Sequence, residues 1–170
     1  MTPKHCLLVV DDEPDICDSV HALLHREFRV LSAGSALEGM RVMQENDVHI
    51  IMTDQRMPRT TGVELLASVR QEHPQAIRIL FTGYADVDAI VDAINQSQIF
   101  RFVRKPWNPV EFEQIVRDAA AEHDRIRASL EQAERLNAEV RALRERVCAR
   151  ARGPGQGGRA MHRQGGSRWQ

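Results

Sequence analysis

The stretch LLVVDDEPD, residues 7–15, runs four apolar side chains directly into a block of acid. Leu7–Val10 suit a strand buried on both faces, but packing gives no reason for two adjacent aspartates, Asp11 and Asp12, where that strand ends. Polar groups just past the carboxyl end of a strand are how an open parallel sheet presents a site. The remaining strands are therefore expected to end at the same edge.

Around this stretch the apolar runs are Cys6–Val10, Phe28–Leu31, His49–Thr53, Ile77–Thr82 and Phe100–Val103. The intervals between them are long enough for crossover helices and too long for hairpins. Helix starts carry their own signals: Ser35 with Glu38, Thr61 with Glu64, and Asn108 with Pro109 and Glu111 each set a capping side chain three residues before an acid. The alternation predicts an α/β domain, a doubly wound five-stranded parallel sheet. In the flavodoxin-like order 2-1-3-4-5 the topological switch point falls between the first and third strands, which end in Asp11–Asp12 and in Asp54. The fourth run ends in Thr82, and the fifth continues through Phe102 to Lys105.

Three carboxylates in one crevice repel one another, and either a proton or a hard divalent cation relieves them. Mg²⁺ suits the set, since it takes oxygen ligands, retains waters and works beside phosphoryl groups. Lys105 adds a compact ammonium and Thr82 a hydroxyl donor, the two things a phosphoryl group's remaining oxygens require. Together these residues describe phosphoryl transfer to a carboxylate nucleophile.

The blocks LLVVDDEPD (7–15), IIMTDQRMP (50–58), TGVELL (61–66), ILFTGYAD (79–86) and FRFVRKPW (100–107) resemble, in order and spacing, the response-regulator receiver domain, the CheY-like family. The resemblance covers roughly the first 120 residues. Its wording is most similar to receivers of hydrogenase-type, NtrC-like transcriptional regulators and of HD-GYP proteins. It implies that Asp54 accepts a phosphoryl group from a sensor histidine kinase, and that Asp11, Asp12, Asp54 and the main-chain carbonyl of Arg56 bind Mg²⁺. It further implies that Thr82 and Lys105 bind the phosphoryl oxygens and that Thr82 and Phe102 form the switch. Arg56 and Tyr84 are expected to flank the pocket. Such a domain is a phosphoprotein of two-component signal transduction, not an enzyme beyond promoting its own phosphotransfer and dephosphorylation.

Other readings of single residues are open. Asp12 could cap the first helix, with Pro14 in its first turn, although one cap explains neither Asp11 nor Asp54. Lys105 could be a solvated charge, yet it is one of two lysines beside 21 arginines. His21 and His25 in HALLH have i,i+4 spacing but lack the glutamate of a zinc-protease helix. No G-x-x-x-x-G-K-[ST] loop occurs, and GPGQGG (153–158) has linker composition. A haloacid-dehalogenase-type phosphatase also uses an aspartate nucleophile but wants a second aspartate two residues on, where Arg56 stands.

Of the 170 residues, no apolar run spans a bilayer and the N-terminus carries no signal-peptide pattern, so a cytoplasmic location is expected. Cys6, Cys17 and Cys148 are odd in number and unrelated in spacing, and read as free thiols. The net charge of -1 conceals five arginines and no acid in residues 149–170, which leaves the rest of the chain at -6.

After Asn108 an apolar repeat continues: Phe112, Ala119, Ile126, Ala133, Val140 and Val147 recur every seven residues, with Ile115, Leu136 and Leu143 in the second position. Glu122 and Ser129 interrupt it. The chain is expected to divide into a receiver domain at 1–122, a helical extension and possible coiled coil at 123–148, and a basic Gly/Arg-rich disordered tail at 149–170. The extended last helix then makes a homodimer, while the tail points only weakly to nucleic acid. Two functions stand: a phosphorylation-controlled switch of partner binding or dimer state with no output domain in this chain, or a degenerate receiver acting as a helical dimer scaffold or nonspecific nucleic-acid binder.

Overall fold

A computed structural model describes residues 4–83 and 98–151. Five strands, β1 (Cys6–Val10), β2 (Arg29–Ala33), β3 (Ile50–Asp54), β4 (Ile77–Thr82) and β5 (Arg101–Arg104), form one parallel sheet in the order β2-β1-β3-β4-β5. The described helices are α1 (Pro14–Leu24), α2 (Ala36–Glu45), α3 (Gly62–Glu72) and α4 (Pro109–Ala151). Residues 84–97, which hold the expected crossover between β4 and β5, and the tail from 152 onward lie outside the described residues.

The strand side chains alternate between two cores, as a period of two requires. Leu8, Val10, Ile51 and Leu80 pack with α2 and α3 residues such as Met43, Leu65 and Leu66. Leu7, Val9, Ile50, Met52, Ile79 and Phe81 pack with Val20 and Leu24 of α1 and with Phe112, Val116 and Ala119 of α4. Every residue of β1, β3 and β4 is buried, which is why these runs are mostly apolar, with Arg78 the buried charge inside β4, whereas β2 and β5 at the edges are half exposed.

β1 and β4 coincide with their apolar runs, whereas β2, β3 and β5 begin one residue later and end one or two residues later than theirs. Phe28 shows why for β2: its N–H donates to the Leu24 carbonyl in the turn that follows α1, and the ladder starts with the next residue. The caps act as expected. Ser35 Oγ accepts from Glu38 N–H, Thr61 and Glu64 form a reciprocal capping box, and Asn108 Oδ1 accepts from Val110 and Glu111 N–H.

The contacts divide the chain into Met1–Leu130 and Glu131–Gln170. In the first unit α4 buries Phe112, Val116, Ala119, Ala120 and His123, and Ile126 packs partly against the same core. Ile126 therefore serves the sheet, and the exposed apolar stripe starts beyond it. In the second unit every side chain described up to Arg150 is exposed, including Leu136, Val140, Leu143 and Val147. Among the described residues no helix is long and apolar enough to cross a membrane.

Candidate functional site

The parallel register brings the ends of β1, β3 and β4 to one edge: Val10 pairs with Thr53, and Asp54 with Phe81, one residue before Thr82. Asp11 directly follows β1, and its N–H donates to Ala33 at the end of β2. Its side chain is fully buried, with Oδ1 accepting from Glu13 N–H at 2.9 Å and Oδ2 lying 2.7 Å from Lys105 Nζ. Asp54, the last residue of β3, is 2.7 Å from the same ammonium through Oδ1, and its Oδ2 accepts from Arg56 N–H at 2.7 Å. Lys105 thus bridges two of the three acids.

Lys105 reaches that position from the loop after β5, where its N–H donates to the Thr82 carbonyl. Its ammonium stands 5.7 Å from the Phe81 ring centroid, and Phe81 stacks with Trp107 and Phe112 beneath it. Burial pulls the Lys105 ammonium down, but its hydrogen bonds to Asp11 and Asp54 and their charges outweigh burial, so the group sits above its ordinary value and stays protonated. Thr82 is buried at the end of β4, whereas Asp12 is exposed. Asp12 is not the cap of α1: that position is Glu13, which makes no side-chain capping bond. Phe102 pairs with Leu80 and is half-buried against the core on the α2–α3 side. Tyr84 lies outside the described residues.

The Asp54 loop is held from behind. Gln55 accepts from Val63 N–H through its side chain and from Gly62 N–H through its carbonyl. A Cβ on Gly62 would collide with the Asp54 carbonyl oxygen and stand 2.8 Å from Leu80 Cδ1. Only glycine lets α3 start that close to Asp54. The TGVELL block contains this glycine, but its role needs the fold to be seen.

Lys105 against Asp11 and Asp54 leaves one net negative charge, and the exposed Asp12 next to Asp11 adds a second. The donors are all oxygens, and the deficit is that of one divalent cation, so Asp11, Asp12 and Asp54 fit Mg²⁺.

The sequence model of the response regulator receiver domain matches residues 7–117. The chain belongs to that family. HoxA of Cupriavidus necator, a hydrogenase transcriptional regulatory protein, is 41% identical over 113 residues, 66% of this chain and 23% of HoxA. The receiver domain protein of Clostridium thermocellum superposes with a TM-score of 0.67 at 28% identity, covering 72% of this chain and 98% of that one. The signal receiver domain of an HD domain-containing protein from Pseudomonas fluorescens gives a TM-score of 0.70 at 28% identity, with coverages of 72% and 98%. The receiver here spans about a quarter of the length of the HoxA proteins it matches. It is a signalling domain of two-component response regulators, a family whose members bind Mg²⁺ at the acidic site and are phosphorylated by sensor histidine kinases.

Proposed function

We propose that this receiver accepts a phosphoryl group on Asp54. The observation that carries the reading is the Lys105 ammonium held 2.7 Å from both Asp11 and Asp54 at the carboxyl edge of the sheet. An Asp54 carboxylate oxygen attacks the phosphorus of a kinase phosphohistidine; the O–P bond forms, the P–N bond breaks, and the imidazole nitrogen leaves with the electron pair and takes up a proton. Asp11, Asp12, Asp54 and the Arg56 main-chain carbonyl would hold Mg²⁺, which would offset the negative charge of the nucleophile and of the phosphoryl oxygens. Lys105 gives up a carboxylate contact for a phosphoryl oxygen, and Thr82 donates its hydroxyl to another. Arg56 flanks the pocket mouth.

Incubation of the full chain with a small phosphodonor, followed by mass measurement, tests this. One phosphoryl group per chain is expected with Mg²⁺ and none with EDTA. No incorporation with the metal present overturns the reading.

The output is a two-state shift in which Thr82 moves toward the phosphoryl group and Phe102 follows. Thr82→Ala should still accept phosphate while losing the response of amide exchange over residues 98–105. An equal response in variant and wild type excludes that coupling. The exposed stripe of Leu136, Val140, Leu143 and Val147 supports a parallel homodimer as one readout of the switch. A degenerate scaffold or nucleic-acid binder is disfavoured, because it needs none of Asp11, Asp12, Asp54, Thr82 and Lys105, and the chain carries all five.

A further inference from the structure

Three histidines that are far apart in the sequence meet at the other end of the strands. His5 immediately precedes β1 and His49 immediately precedes β3, and His49 N–H donates to the Cys6 carbonyl, which sets the two side by side. His123 comes from α4, one turn past Ala119 on the face that covers the sheet. All three rings offer nitrogens within 4.8 Å of one another. Five residues of strand, roughly 16 Å at about 3.3 Å per residue, separate this cluster from the Asp11–Asp54 crevice.

Ordinary polar packing leaves this cluster incompletely satisfied. His5 Nδ1 and His49 Nδ1 lie 3.0 Å apart, and Cys6 N–H points at His49 Nδ1 from 3.4 Å, so that nitrogen carries a lone pair. His123 is 5% exposed, and its buried Nδ1 makes no hydrogen bond, the nearest Asp124 oxygen being 3.8 Å away. Leaving such an atom buried without a partner is destabilising. Burial, followed by the neighbouring His49 and His5, pulls the His123 imidazole below its usual range.

We infer that His5, His49 and His123 form a binding site for one Zn²⁺-class transition-metal ion, separate from the acidic crevice. Neutral imidazole is the ligand such ions prefer, whereas Mg²⁺ prefers oxygen. Tetrahedral Zn²⁺ with bonds of about 2.0–2.1 Å sets neighbouring nitrogens about 3.3 Å apart, so the His5–His49 pair opens by a few tenths of an ångström and the third ring closes in. His49 and His123 already stack, with centroids 4.4 Å apart. The outer nitrogens are supported as well: His5 Nε2 lies 3.4 Å from Asp124 Oδ2, and His49 Nε2 lies 3.4 Å from Asp47 Oδ2. Carboxylates so placed orient ligating imidazoles and raise their basicity, and their two charges match a divalent ion. His5 is partly exposed, which gives the ion a way in and a water the fourth position.

Titration calorimetry of the full chain with Zn²⁺, in millimolar Mg²⁺ to fill the acidic crevice, tests the site. Cys148→Ser is used throughout to remove the exposed thiol. One Zn²⁺ per chain and a raised melting temperature are expected. Each of His5→Gln, His49→Gln and His123→Gln should weaken binding at least about tenfold, and His5→Gln with His49→Gln should abolish it. His21→Gln with His25→Gln removes the exposed, stacked i,i+4 pair on α1 and should leave the affinity unchanged. If His123→Gln fails to fold, the His5 and His49 variants decide. Absence of binding in the wild type, equal binding in the His5/His49 double variant, or loss of binding in the His21/His25 variant overturns the inference.

Discussion

Asp54→Asn is expected to abolish phosphoryl incorporation while leaving the domain folded. The amide oxygen that replaces the carboxylate is a far weaker nucleophile, and the substitution also removes one of the three charges that draw Mg²⁺ into the crevice. The fold survives because Lys105 keeps its 2.7 Å contact with Asp11, so no buried charge is stranded. Oδ1 of the asparagine can still accept from the ammonium, although the Oδ2 that accepts from Arg56 N–H would become an amide donor if the ring of contacts were unchanged. The wild-type adduct should be one acid-stable, base-labile phosphoryl group, as an acyl phosphate requires. Mass measurement after phosphodonor and Mg²⁺, with a thermal melt of the same samples, separates lost chemistry from lost structure. Labelling of Asp54→Asn at the wild-type rate would remove Asp54 from its role.

Leu136→Asp combined with Leu143→Asp is expected to convert the proposed homodimer into a monomer that still accepts phosphate. The two leucines are 55% and 50% exposed in the single chain, so about half of each side chain remains to be buried by a partner. Full burial of a leucine contributes about 1.5–3 kcal/mol, so four half-buried leucines across a dimer supply roughly 3–6 kcal/mol, or about 10²–10⁴ in dissociation constant. The Glu139–Arg144 pair that would flank the parallel seam contributes only a few tenths of a kcal/mol and cannot compensate. Because Ile126 already packs on the sheet, the seam rests on Ala133, Leu136, Val140, Leu143 and Val147. Deleting residues 152–170 should leave association intact. Sedimentation at micromolar concentration checks both variants, and a wild-type monomer with and without phosphodonor ends the dimer proposal.

The order of the sheet and the edge that carries its acids were legible because both follow from local rules. Continuous apolar runs mark strands covered on both faces, long intervals force crossovers, and Ser35, Thr61 and Asn108 announce helices by capping chemistry acting within three residues. The first run ending in Asp11 and the third ending in Asp54 then meet wherever parallel strands lie side by side. The same short-range logic misplaced Ile126, since a heptad records which residues are apolar and not which neighbour buries them.

What the sequence by itself determined is the set of groups at the carboxyl edge, because parallel pairing carries strand ends to a common line. Three features needed the tertiary structure. Lys105 could be assigned to the crevice by resemblance, but its simultaneous contact with Asp11 and Asp54 depends on the loop after β5 folding back over Phe81. Gly62 matters through a carbonyl eight residues earlier, a contact no spacing announces. His5, His49 and His123 are 44 and 74 residues apart and share no motif, and only the strand register and the docking of α4 bring them together. Side-chain convergence across elements is a property of packing, in which each ring's position depends on where the others have already settled.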